Sequence, residues 1–232
     1  EMEEFADNST VGKVIHKALD QHYPLGFISE KQLQDMISDI SATIKLNLEK
    51  EISKDNINNG KNYLTLKVAQ ELTKSFLRLE LRLLREAGKR KQKIKILAKE
   101  TELICKLRIQ DFCVKLVGWP DRIDMIGNEI RIIDYKTGKV SQSDLVVKDI
   151  SELIDNPKKS KAFQLFMYMY LYVKANPVVI QEGVYAAIFS FRNINSGLLF
   201  LSKKEKGVLR RLNIDQKILD EFEKKLIALL LR

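Results

Sequence analysis

Cysteine is scarce in this chain, and that scarcity removes two structural classes at once. Cys105 and Cys113 are the only two in 232 residues, too few for a disulfide framework or a four-thiolate iron–sulfur cluster. Both fall in apolar strand patterns, which reads as buried thiols in a cytosolic protein. No run of about 18 apolar residues occurs, so the pattern contains no transmembrane helix and implies no membrane partner. The first residues, Glu1-Met2-Glu3-Glu4-Phe5, are acidic and lack the apolar core of a secretory signal. They also lack an initiator Met, so the expectation is a C-terminal fragment of something longer. No Gly-x-x-x-x-Gly-Lys-Ser/Thr loop is present, so no nucleotide cofactor of the P-loop kind is expected. Glycine (10) and proline (4) are sparse, and there is neither an internal repeat nor a low-complexity linker.

Acidic balance is the other shortage. Forty Lys and Arg stand against 31 Asp and Glu, a net charge of +9 with a pI near 9.4. A polyanionic partner is favoured, because each cation that neutralises a phosphate releases counterions. The cations gather at 89–93, at Lys158, Lys159 and Lys161, at Lys203, Lys204 and Lys206, and at Arg210-Arg211. Any one run can be an ordinary solvated helix end or loop. With 45% hydrophobic residues and 31% charged, the composition is that of a soluble globular protein large enough to bury a real core.

The front of the chain is patterned for helices. Asn8-Ser9-Thr10 can cap a helix reaching His22, with Val11, Val14, Ile15, Ala18 and Leu19 as its apolar stripe. Ser29-Glu30-Lys31-Gln32 opens a second by capping-box logic, running to about Lys50. A long third helix covers roughly 62–87. Strand patterns follow at 95–100, 103–107 and 113–117, and 141–160 reads as a polar loop with one short helix before Pro157. A helix over 161–174, a buried strand over 183–191 and an amphipathic helix over 214–231 complete the chain. This order predicts an α+β (mixed α/β) core with an N-terminal helical elaboration over 1–90 and the catalytic core over 91–232, in a single domain spanning 1–232.

The most informative stretch is 118–138. Two short strands flank Gly127-Asn128, the loop composition of a two-residue hairpin. If the chain folds back there, residues equidistant from the turn face each other. Asp121 is then opposite Asp134, with Cβ atoms about 5 Å apart. Two carboxylates so placed repel, and a fold keeps them when a cation is shared between them. Lys136 follows Asp134 by two and therefore takes the same face. Asp124 falls opposite Arg131 on the reverse face, where a cross-strand ion pair accounts for it. Two acids and a lysine on one face are the parts of a divalent-metal hydrolytic centre.

Gly118-Trp119-Pro120-Asp121-Arg122-Ile123-Asp124, followed by Ile132-Ile133-Asp134-Tyr135-Lys136-Thr137-Gly138, resembles the PD-(D/E)xK nuclease motif in its RecB-like form. Two further elements of that family line up with Gly12-Lys13-Val14-Ile15-His16 upstream and Gln164-Leu165-Phe166-Met167-Tyr168 downstream. The resemblance covers about residues 9–192 and is closest to the C-terminal nuclease domains of RecB-like and AddB-like subunits. Unlike many AddB-type domains, this chain has no cysteine quartet for an iron–sulfur cluster.

The resemblance implies a restriction-endonuclease-like core, with a central mixed sheet flanked by helices. It implies a Mg²⁺- or Mn²⁺-dependent DNA nuclease, an exonuclease working within a double-strand-break repair complex alongside a helicase partner. Asp121, Asp134, the backbone carbonyl of Tyr135 and His16 would hold the metal through mainly hard donors. Lys136 would position or activate water. Gln164 and Tyr168 would line the cleft and touch the phosphate or the attacking water. The Tyr135 side chain should point to the opposite face, into the core. His22, beside Tyr23-Pro24 at a helix end, keeps the ordinary reading of a lone histidine, and Glu100, which could extend the acidic cluster, reads first as a solvated charge at a strand end. The alternative is an inactive nuclease fold used for DNA binding or subunit docking. Action on RNA or on flaps is also open, since metal-centre chemistry is indifferent to the sugar.

Overall fold

Asp7 caps the first helix. Its carboxylate accepts from the Thr10 backbone N–H at 2.7 Å and the Thr10 hydroxyl at 2.9 Å. The sequence points to Asn8-Ser9-Thr10 as the cap. Asp7 takes the position because its side chain reaches the N–H three residues on, as an N-cap must. A computed structural model describes residues 7–52, 54–58 and 60–231. The fold is mixed α+β, with a central mixed sheet flanked by helices, as in restriction-endonuclease-like proteins. It divides into two compact units.

The first unit comprises Glu1–Leu97, Tyr135–Lys139 and Phe189–Gly197. It holds α1 (Asn8–His22), β1 (Gly26–Phe27), α2 (Glu30–Glu51), the single-turn α3 (Lys54–Ile57), α4 (Gly60–Lys89) and the start of β2 (Ile94–Lys99). Ser29 and Gln32 form the expected reciprocal capping box of α2. Helices α1, α2 and α4 bury Val14, Ile15, Ala18, Leu19, Ile40, Ile44, Phe76 and Leu77 against one another. Polar groups caught among them are satisfied: Gln70 donates to the Ser41 carbonyl at 2.8 Å, and Tyr23 donates to Glu80 at 3.1 Å. His22 bonds Thr43 at 2.7 Å and is a packing residue. β1 pairs antiparallel with β2, Gly26 facing Ile96.

The second unit comprises Ala98–Asp134, Val140–Ile188 and Leu198–Arg232. Its sheet carries, side by side, the end of β2, then β5 (Arg122–Ile126), β6 (Glu129–Lys136), β8 (Gly183–Ser190) and β9 (Leu198–Phe200). β3 (Leu103–Ile109) and β4 (Phe112–Gly118) form a separate antiparallel ribbon. One ribbon face buries Leu103, Leu107 and Ile109 and packs on α6 (Ser160–Ala175). β7 (Val146–Val147) runs parallel to β10 (Ser202–Glu205), which pairs antiparallel with β11 (Val208–Arg211). These short strands over 198–211 are not apparent in the sequence pattern, because three apolar residues in β9 and four largely charged or mixed residues in each of β10 and β11 are too few to show a usable period. α5 (Ser151–Asp155) is the short helix expected before Pro157. α7 (Gln216–Leu230) completes the local core, its Phe222 ring 4.4 Å from Phe166 and 5.5 Å from Tyr170.

The cysteine expectation needs correcting. Cys105 is half-buried and Cys113 is exposed. Cys113 faces Arg108 across the ribbon, on the side turned away from α6, so strand alternation puts its thiol in water.

Candidate metal centre

The β5–β6 hairpin holds the register read from its sequence. Arg122 faces Ile133, Asp124 faces Arg131 and Ile126 faces Glu129. Gly127 has φ 58°, the positive angle that a type II′ turn requires at its first position. β5 starts at Arg122, so Asp121 stands just before the paired residues, where one further step of the same register would set it opposite Asp134. Both are buried, at 9% and 4% exposure.

The reverse face answers as expected. Arg131 grips Asp124 with two bonds of 2.7 and 2.8 Å, and the pair is fully buried. Arg122 adds a third contact to Asp124 at 3.0 Å. Asp124 thus anchors two buried guanidinium groups and is structural.

In the second unit the acids converge. Glu100 and Asp121 each bring a carboxylate oxygen within 4.8 Å of the other, and the Glu100 N–H donates to the Asp121 carbonyl at 3.0 Å. Asp134, Asp121 and Glu100 all act on the Tyr168 hydroxyl. Burial, first, and then these three charges push that phenol up to about 12, while the Gln164 hydrogen bond pulls it the other way. Gln164 donates to the Tyr168 oxygen at 2.8 Å, one turn along α6. Gly118 makes the arrangement fit: a Cβ there would stand 3.0 Å from the Tyr168 ring and 2.9 Å from Leu171. That close approach is why the motif begins with glycine.

The first unit groups the remaining candidates. The Tyr135 ring is 3% exposed and packs among Phe76 at 5.4 Å, Phe191 at 6.1 Å and His16 at 5.7 Å. It is core, as the alternation demands. His16 is half-buried on α1 and meets Tyr135 edge-on. Gly12, one turn earlier, leaves room for the segment after β6, since a Cβ there would lie 3.3 Å from the Thr137 hydroxyl. Lys136 ends β6 half-buried, on the same side of that strand as Asp134.

Glu100 is what sequence reasoning sets aside as a solvated charge. It is exposed, as a solvated charge would be, yet it sits against Asp121. The usable signal is conformational: Glu100 has φ 42°, a left-handed angle that costs a residue with a Cβ about 1 kcal/mol or more.

Hard oxygen donors packed this closely suit a small divalent cation. The family model of the PD-(D/E)XK nuclease superfamily matches residues 1–232. The chain belongs to the PD-(D/E)XK nuclease superfamily. Its members are generally nucleases that use divalent metals. The comparison with curated proteins finds no match. Among solved structures, one described as "Crystal structure of SSO0001" aligns over 95% of this chain and 85% of its own at 14% identity, with a TM-score of 0.31. Among the described residues of this PD-(D/E)XK chain, no helix is long and apolar enough to cross a membrane.

Proposed function

We propose that this chain is a Mg²⁺- or Mn²⁺-dependent deoxyribonuclease, an exonuclease domain of the RecB-like or AddB-like kind acting in double-strand-break repair beside a helicase partner. The observation that carries the reading is the Glu100 and Asp121 carboxylates within 4.8 Å of each other, with buried Asp134 on the neighbouring strand and the Gln164–Tyr168 hydrogen bond on α6. Asp121 and Asp134 hold the cation, Glu100 extends the acidic set, and the motif match adds His16 and the Tyr135 carbonyl. The cation supplies Lewis acidity to the scissile phosphate and makes nearby water more acidic.

The chain's own groups do the rest. The Lys136 ammonium orients the attacking water and offsets charge that develops on the phosphoryl oxygens. Tyr168, with its pKa pushed up to about 12, stays protonated at neutral pH. Because Gln164 donates to its oxygen, its own proton is left to donate to a phosphate oxygen or to water. The net charge of +9 supports a nucleic-acid substrate. An inert scaffold is the second reading, and the full set of expected residue types counts against it.

The test is cleavage of linear DNA with Mg²⁺ or Mn²⁺ and with chelator. Chelation should stop cleavage. Asp134→Ala should abolish it, and Lys136→Ala should lower it by about 10²–10³ while both variants stay folded. Undiminished cleavage by both variants would sink the assignment.

A further inference from the structure

The outer face of the β3–β4 ribbon does no packing that explains its composition. Its cross-strand pairs are Ile104 with Val117, Lys106 with Lys115, and Arg108 with Cys113. Lys106, Arg108 and Lys115 are exposed. Like charges directly opposite destabilise a strand pair, yet Lys106 faces Lys115. Among the described residues, none of these three cations has a hydrogen bond or ion-pair partner.

The row ends in an aromatic. Strand alternation along β4 puts Cys113, Lys115 and Val117 on this face, and Trp119 follows just past the end of the strand at Gly118. Trp119 is 54% exposed, while its neighbours Gly118 and Pro120 are buried. It is the only tryptophan in the chain. Pro120 restricts the Trp119 backbone to extended conformations, so the indole is presented from a fixed support. Two residues later comes Asp121, within about 7 Å along the chain. Lysines on an edge strand also deter edge-to-edge pairing, but an exposed indole in the same row works against that purpose.

We propose that this face is the track for a single DNA strand, with Lys106, Arg108 and Lys115 on its phosphates and Trp119 stacking on the base next to the acidic centre. A basic groove combined with an aromatic platform is how proteins hold unpaired strands without reading sequence. From the Arg108–Cys113 pair to Trp119 is six residue steps, about 20 Å, a length over which the three cations can meet successive phosphates of one extended strand. Trp119 is a positioning residue: it fixes where the strand stops relative to Asp121. The proposal rests on the nuclease reading, and its test does not need cleavage.

The lone indole is the probe. Titration with a short oligodeoxythymidylate in the presence of chelator should quench Trp119 emission. Trp119→Ala should bind about 5- to 150-fold more weakly with an unchanged salt slope, and Trp119→Phe should recover most of the loss. An abasic nucleotide at the stacked position should weaken the wild type and leave Trp119→Ala unaffected, which a merely structural role would not produce. The triple variant Lys106→Ala, Arg108→Ala, Lys115→Ala should reduce the slope of log affinity against log salt by about 2. Saturating binding without quenching overturns the proposal, as do wild-type affinity in Trp119→Ala or an unchanged slope in the triple variant. Asp134→Ala should keep the quench. If that variant still cleaves DNA, the metal-centre reading fails while the track stands on its binding data.

Discussion

Glu100 concentrates the tension between stability and chemistry in one residue. Its φ of 42° is affordable to glycine and costly to glutamate, and its carboxylate adds to negative charge already present at Asp121. Glu100→Gly should leave stability unchanged or raise it by up to about 1 kcal/mol. The same variant should lower nuclease activity about 10- to 100-fold if the carboxylate supports the metal. Denaturant midpoints and cleavage rates on one preparation check both. Tyr168 makes a second prediction. Its phenol rises from the ordinary 10.0 to about 12 on folding, so the folded state favours the protonated form. That contribution is fully present below pH 10 and is lost as pH climbs towards 12. Tyr168→Phe should therefore show a shallower fall in stability across that window than the wild type, measured by denaturation at each pH.

At the scale of elements, the β5–β6 hairpin separates a residue that builds, Asp124, from the residues proposed to act. Asp124 holds Arg131 and Arg122 in the dry interior, so Asp124→Ala strands buried positive charge and should cost about 3–5 kcal/mol. Asp134→Ala should lose cleavage and keep its fold; equal destabilisation of the two variants would refute this division. Gly118→Ala pushes a methyl into the Tyr168 ring and Leu171 and should cost about 1–3 kcal/mol by overpacking. Much of this element was readable in advance. A Gly-Asn turn and a period of two fix the register, and the register alone sorts Asp121 and Asp134 from Asp124. The start of α2 was readable because Ser29 and Gln32 cap each other reciprocally, whereas the single-sided Asp7 cap of α1 was not. Elsewhere the local pattern was too short or too degenerate. β9, β10 and β11 offered no period, Cys113 depended on which ribbon face met α6, and Glu100 joined Asp121 through strand adjacency that no local spacing encodes.

Across the whole molecule, the net charge of +9 predicts a nuclease whose binding weakens steeply as salt rises. The three cations of the β3–β4 ribbon are the proposed source of part of that dependence. The family was legible because four motif elements occur in the right order, and their order survives whatever the loops do. The nuclease reading stands on Asp121 and Asp134 forming a divalent-metal site in the chain itself. Calorimetric titration with Mn²⁺ tests it most directly, since binding is read without substrate or cleavage. Wild-type protein should bind the ion, and Asp121→Ala and Asp134→Ala should each lose that binding while remaining folded. Absence of Mn²⁺ binding by the wild type, or undiminished binding by both variants, would contradict the account.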